Sequence, residues 1–171
     1  MTLRRALEAL YDGAGVVAGV ALIGTLAFVL IGICGRLFHF HLPGTDAYAG
    51  YCMAAAGFLA LAHTLKRGEH IRVTLIVEHL SPARRRALEI AALAIATLLA
   101  ALFAFYSVRL AFQSWQFNDV STANDATPLW LPQLAMAAGT LTLFVAVVDE
   151  LVAEVRGRRR KPAAETALHN E

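Results

Sequence analysis

The stretch AGVVAGVALIGTLAFVLIGICG, residues 14–35, contains no charged residue. A helix of about 20 apolar residues crosses the hydrocarbon core of a bilayer, so this stretch predicts a membrane-spanning helix. A cleaved signal peptide is the alternative, because Arg4 and Arg5 precede the stretch. The apolar run is longer than the roughly 7–15 residues of a signal peptide, and no small-x-small cleavage site closes it. We therefore expect a retained helix.

Three further apolar stretches are long enough to cross a bilayer. The composition agrees, with 58% hydrophobic and only 16% charged residues, whereas soluble domains carry about 25% charge. Backbone polar groups in lipid must be paired within the segment, which requires helices. The sequence predicts an all-α polytopic membrane protein, in which residues 1–156 form one domain and residues 157–171 a disordered polar tail. The predicted spans are 14–35, 47–65, 90–108 and 128–148.

The basic residues are divided unevenly between the two sides of the predicted spans. Thirteen of the 15 Lys and Arg residues fall in the amino terminus, the connection between the second and third spans, or the tail. Because cytoplasmic loops carry such an excess, both termini are predicted to be cytoplasmic. Only Arg36 and Arg109 flank the outer loops. The thirteen are Arg4, Arg5, Lys66, Arg67, Arg72, Arg84, Arg85, Arg86, Arg156, Arg158, Arg159, Arg160 and Lys161.

The second connection begins with LKRGEHIRVTLIVEHL, residues 65–80. Four of its aliphatic residues recur at helical spacing, which predicts a short amphipathic helix lying in the cytoplasmic interface. Ser81 and Pro82 are predicted to be the N-cap and first residue of the next helix. The aliphatic residues are Val73, Ile76, Val77 and Leu80.

The densest run of charge in this connection is Arg84, Arg85 and Arg86. We expect these residues to anchor the chain to anionic headgroups of membrane lipids. Nucleic-acid binding is not expected of three charges held against a membrane.

Side chains that carry chemistry are few. His63 is the one ionisable residue inside the predicted spans, apart from thiols and tyrosines, and it shares a helix face with Arg67. A membrane haem commonly takes two axial His ligands from facing helices, and the predicted spans contain no second His. No nucleophile–base pair, phosphate loop or zinc pattern is present in the sequence. We therefore predict no catalytic, substrate-binding or metal-binding residue and no cofactor, and we expect that the chain is not an enzyme.

Some features of the sequence leave two interpretations open. Cys34 and Cys52 suit small apolar packing positions, and a disulfide is the alternative. Small residues four apart, Gly15 with Gly19 and Ala135 with Gly139, favour close helix packing. The helices packed at these positions could belong to this chain or to a partner.

Several short motifs follow one another in a characteristic order. Arg36 follows the first span, and Asp46 ends the next loop. The second span is closed by Arg67, Gly68, Glu69, His70, Ile71, Arg72 and Val73. Pro128, Trp130 and Pro132 open the last span.

Over about residues 14–152, this order resembles the DctQ-type small membrane subunit of TRAP (tripartite ATP-independent periplasmic) transporters. Thr74 stands where the family often has an acidic residue. Near the start of the second span, where the family tends to carry a Glu, this chain has Asp46 followed by Ala47.

The resemblance implies a non-catalytic subunit in the bacterial inner membrane. Its implied partners are a large polytopic TRAP membrane subunit, which it would brace, and a periplasmic solute-binding protein. Together they would import organic acids or related small anions with a sodium gradient. The chain is expected to change direction after the second span, and we call residues 67–73 the cytoplasmic elbow. His70 is expected to stabilise this elbow by a hydrogen bond. A membrane anchor or accessory subunit of a redox or other enzyme complex is the alternative function.

Overall fold

The computed structural model describes residues 2–40, 42–67, 81–123 and 125–157. In these ranges the chain forms four α-helices: α1 (Thr2–Leu37), α2 (Thr45–Arg67), α3 (Pro82–Gln116) and α4 (Trp130–Val155). All four are long and apolar enough to cross a membrane, which confirms the predicted fold class. The interfacial helix predicted within residues 68–80 lies outside the described residues, as does the tail after residue 157.

The helices enclose the predicted spans, except for residues 128 and 129, and each extends further. At a rise of 1.5 Å per residue, α1 and α3 are each more than about 50 Å long. Their extra turns carry charged residues at i, i+4 spacing, such as Arg85, whose Nε lies 3.1 Å from Glu89 Oε1. Such pairs favour helix in water. Hydropathy therefore located the apolar part of each helix and missed its polar extension.

The four helices pack as an open array in the order α1, α2, α4, α3. Extensive contacts join α1 to α2, α2 to α4, and α4 to α3, whereas α1 touches α4 only lightly. The two central helices are consequently more covered than the edge helices α1 and α3. We call the end with residues 37–45 and 117–129 the outer end, and the opposite end the inner end, after the predicted topology.

Small residues form the seam between α3 and α4. Five α3 residues alternate at spacings of four and three, and all are buried. This is the heptad pattern of left-handed helix pairs, formed here by Ala and Ser rather than by Leu. The five residues are Ala100, Ala104, Ser107, Ala111 and Ser114.

Glycines mark the closest approaches of the other helices. A Cβ atom on Gly139 of α4 would lie 2.5 Å from the carbonyl carbon and oxygen of Phe58 in α2. Gly15 of α1 meets the ring of His63, and Gly24 meets the side chain of Cys52. These contacts assign two of the small-residue positions to packing within the chain. Gly19, by contrast, has open space around it.

The outer loop between α3 and α4 is a short hairpin. The Ser121 N–H donates to Thr127 O at 2.8 Å, and the Leu129 N–H donates to Asp119 O at 2.9 Å. An isolated antiparallel bridge joins Val120 and Pro128. Because α4 begins at Trp130, Pro128 precedes the helix and Pro132 lies in its first turn. The loop is folded back over the start of α2, where it contacts Tyr48 and Tyr51.

Candidate functional site

Lys66, in the last turn of α2, joins three helices at the inner end. Its Nζ atom lies 3.1 Å from Glu150 Oε1 and also forms an ion pair with Asp149, both on α4. The ammonium group also stands 5.3 Å from the ring centroid of Tyr11 on α1, within the range of a cation–π contact. Lys66 therefore fixes the inner ends of α1, α2 and α4 relative to one another.

A second contact at the inner end joins α1 to α2. His63 Nδ1 lies 3.4 Å from Asp12 Oδ1, and the His63 ring rests on Gly15, where a Cβ atom would come within 2.9 Å of the ring. The sequence placed His63 beside Arg67; the structure gives His63 a carboxylate partner on another helix and leaves Arg67 exposed. These side chains line a cleft of about 450 Å³ between α1, α2 and α4.

The main contact at the outer end holds the hairpin loop against α2. Tyr51 Oη donates a hydrogen bond of 3.0 Å to Asp125 Oδ2. Gly44 lies against the Asp125 side chain and has a φ of 84°. The two residues are so close that a Cβ atom at Gly44 would come within 2.7 Å of Asp125 Cβ. Tyr51 and Asp125 are 74 positions apart in the chain, so no local sequence pattern pairs them.

The Asp125 carboxyl group has an unusually low pKa, lowered from 3.8 to about 2. The largest cause is the Thr127 hydroxyl, followed by smaller contributions from the hydroxyls of Ser121 and Tyr51. Hydrogen bonds to a charged carboxylate favour its ionised form. Asp125 is therefore an anion throughout the physiological pH range.

Arg36 and Asp46 form a second, more exposed contact at the outer end. Their side chains are 78% and 85% exposed, and Arg36 Nη2 lies 3.4 Å from Asp46 Oδ2. Exposed pairs of this kind contribute about 0–1 kcal/mol. The pair borders a cleft of about 510 Å³ that also contacts His39 and Thr45. The structure thus brings together two residues that the sequence had selected separately.

Two of the three predicted lipid anchors have protein partners among the described residues. Arg85 pairs with Glu89, and Arg86 Nη2 donates a hydrogen bond of 3.1 Å to the carbonyl oxygen of Val155 at the end of α4. Arg84 is exposed. Arg86 thereby ties the extended start of α3 to α4, and lipid anchoring by the run stays a prediction.

Most of the predicted signature at the elbow lies outside the described residues. This applies to Gly68, Glu69, His70, Ile71 and Val73. Arg67, the first residue of the signature, is the last residue of α2. In the last span, Trp130 begins α4 and Pro132 is half-buried.

Among the described residues, no three His, Cys, Asp or Glu side chains come together in a group that could bind a metal ion. Cys34 and Cys52 are free thiols. The described contacts have a structural role. The ion pairs of Arg36, His63 and Lys66 join helix to helix at the two ends, and the Tyr51–Asp125 hydrogen bond joins loop to helix.

Four apolar helices fixed to one another at both ends define a multi-pass membrane protein. The family described as Tripartite ATP-independent periplasmic transporters, DctQ component, matches residues 25–157 of this chain. The chain therefore belongs to the DctQ family, the small permease component of TRAP transporters, and the resemblance seen in the sequence is confirmed. None of the curated proteins matches the chain.

Proposed function

We propose that this chain braces the large membrane subunit of a TRAP transporter in the bacterial inner membrane. The transporter would import organic acids or related small anions with a sodium gradient, and a periplasmic solute-binding protein would deliver them. Membership of the DctQ family supports the role of small subunit. The solute class, the sodium coupling and the two partners are carried over from the family.

The observation that carries a bracing role is the fixation of α2, at three levels, against α4 and the loop that leads into it. Lys66 pairs with Asp149 and Glu150 at the inner end. The backbone of Phe58 meets Gly139 in the middle of the bundle. Tyr51 binds Asp125 of the α3–α4 loop at the outer end. Two helices held at both ends and in the middle form a rigid unit, which suits a brace better than a moving element.

The predicted topology assigns the inner and outer ends of the helix array to opposite sides of the membrane. With both termini cytoplasmic, the Lys66 cluster and the elbow after α2 would face the cytoplasm. The hairpin loop at residues 117–129 would face the periplasm, on the side from which a solute-binding protein approaches.

Reconstitution with and without this chain tests the proposal. The chain and the large membrane subunit with which it is proposed to assemble are purified from mild detergent and placed in liposomes with a sodium gradient. The binding protein is supplied with radiolabelled succinate or pyruvate as probes of the organic-acid class. We expect uptake only when both membrane subunits are present. Full uptake by either subunit alone would contradict the bracing role, and a haem or flavin absorbance band would favour a redox accessory subunit.

A further inference from the structure

The uncharged segment of α2 indicates where the two boundaries of the hydrocarbon core lie along the helices. Asp46 and Lys66 are the charged residues of α2 nearest the outer and inner ends of the apolar segment, and no Asp, Glu, Lys or Arg lies between them. Their separation of 20 positions corresponds to about 30 Å of helix. The hydrocarbon core of a bilayer is also about 30 Å thick. We therefore place the two boundaries near Asp46 and Lys66.

A contact between two aromatic rings relates membrane depth along α2 to membrane depth along α3. Phe58 of α2 and Phe103 of α3 have ring centroids 5.9 Å apart, so the two residues lie at a similar depth. Asp46 is about 18 Å further out along α2 than Phe58, whereas Arg109 is only about 9 Å further out along α3 than Phe103. Arg109 therefore lies about 9 Å inside the outer boundary. The apolar run of the sequence ends before Arg109, but the helix continues to Gln116.

Arg109 also points away from its own bundle. The seam of α3 that faces α4 contains Ser107 and Ala111, which are buried, whereas Arg109 is exposed. The structure records no hydrogen bond or ion pair for Arg109 among the residues it describes. Charged side chains at membrane depth are costly, and they usually pair with another group or line a polar cavity.

Aromatic side chains surround Arg109 on the exposed face of α3. Phe105, Tyr106 and Phe112 are 61%, 58% and 57% exposed. Phe105 contacts Tyr106 with ring centroids 5.4 Å apart, and Phe112 contacts Trp115 at 5.9 Å. Aromatic residues and Arg are the types enriched in the cores of protein interfaces.

The other edge helix is different. On α1 no charged residue occurs between Asp12 and Arg36, and the exposed side chains there are mainly aliphatic, such as Val20 and Leu26. A face of this kind suits lipid tails. The two edges of the array are thus chemically distinct, and only α3 carries a charge that needs a partner at depth.

We propose that the exposed outer half of α3, centred on Arg109, is the surface on which the large membrane subunit packs, and that this subunit presents a carboxylate to Arg109. The inference rests on the proposed function and adds the contact surface to it. A partner helix would cover the four aromatic side chains and pair the guanidinium group at the same time. The alternative occupant is a phospholipid whose headgroup phosphate is reached by a snorkelling Arg109.

Copurification of the assembled membrane complex tests this surface. Arg109→Leu and Arg109→Glu should reduce the amount of large subunit recovered with the tagged chain at least tenfold, and Arg109→Lys should retain most of it. Arg4→Leu is the control for the loss of one arginine, because Arg4 is exposed at the inner end of α1. Recovery of the large subunit with Arg109→Glu at the level of the unaltered chain would overturn the inference. Failure of the unaltered chain to recover it would instead overturn the proposed function.

Photocrosslinking in the intact complex keeps the test independent of folding defects. We expect p-benzoylphenylalanine at position 105 to form a covalent product with the large subunit. At position 20, on the exposed face of α1, the same probe should form none. A phospholipid adduct instead of a protein product at position 105, or a protein product at position 20 alone, would overturn the proposed surface.

Discussion

Gly139 lies against the peptide backbone of Phe58, with no space for even a methyl group between them. A Cβ atom at this position would come within 2.5 Å of the Phe58 carbonyl oxygen and 2.8 Å of its Cβ. Backbone atoms cannot rotate out of the way as the end of a flexible side chain can. We therefore expect Gly139→Ala to separate α2 from α4 and to destabilise the chain by about 1–3 kcal/mol, as overpacking does in other cores.

The control for this substitution is Gly57→Ala, because Gly57 is also within a helix but has open space around it. Replacing Gly by Ala inside a helix gains up to about 1 kcal/mol of helix propensity, so Gly57→Ala should be neutral or stabilising. Unfolding in mixed micelles, followed by tryptophan fluorescence, measures both variants. Equal stability of Gly139→Ala and Gly57→Ala would show that α2 and α4 do not approach so closely.

Loss of Lys66 should destabilise the inner end of the bundle. Lys66 and Glu150 have side chains that are only 24% and 17% exposed, so Lys66→Met removes a half-buried cation that Asp149 and Glu150 share. We expect a loss of about 1–3 kcal/mol, between the values for exposed and fully buried pairs. Arg4→Ala, which breaks the exposed pair with Glu8, should cost less than about 0.5 kcal/mol. A similar effect of both substitutions in the same unfolding experiment would rule out a special role for Lys66.

Tyr51→Phe should change the titration of Asp125. The hydrogen bond from Tyr51 contributes to a pKa of about 2 in the folded chain, against the ordinary 3.8. Because the folded pKa is the lower one, the stabilisation is fully present above about pH 4 and is lost as the pH falls towards 2. Removal of the Tyr51 hydroxyl should raise the pKa of Asp125 towards its ordinary value. Melting temperatures at pH 5 and 7 should give the same difference between the two chains.

The measurement for Asp125 is the ¹³C chemical shift of its carboxyl group between pH 5 and 2. Tyr106→Phe serves as the control, since Tyr106 lies on the exposed face of α3. An Asp125 titration that is the same in Tyr51→Phe and in Tyr106→Phe would contradict the assignment.

Cysteine labelling should place the amino terminus in the cytoplasm. In a chain with Cys34→Ala and Cys52→Ala, a single cysteine replaces either Glu8, in the first turns of α1, or Ala123, in the outer loop; both positions are exposed. An impermeant maleimide added to spheroplasts should label position 123 and should label position 8 only after lysis. The reverse pattern would invert the topology drawn from the positive charges.

The number of helices was predictable because lipid imposes a length and a composition on every segment that crosses it. Their ends were less predictable, because the turns that leave the bilayer are polar and lack an apolar run. Arg109 illustrates the difficulty: the apolar stretch stops at Val108, yet α3 continues to Gln116. Pro132 lies in the first turn of α4, where proline is tolerated.

The contacts between distant residues could not be predicted in the same way. The sequence marks Lys66 as the end of a span, but not Asp149 and Glu150 as its partners. Tyr51 and Asp125 are far apart in the chain, and the order of the helices in the array decides that they meet. The alternating small residues of α3 were not predicted, because Ala and Ser at heptad positions are a weaker signal than Leu.

The length of α2 has a consequence for the membranes in which the chain can work. Its uncharged segment equals the average hydrocarbon thickness, so α2 can stand almost upright there, whereas a thicker bilayer would have to thin around it. Hydrophobic mismatch costs fractions of a kcal/mol per Å. Since α2 is fixed at three levels to α4 and the loop that leads into it, α2 cannot tilt alone, and the whole array must share any adjustment. Lipid acyl-chain length should therefore influence how this subunit is oriented in reconstituted bilayers.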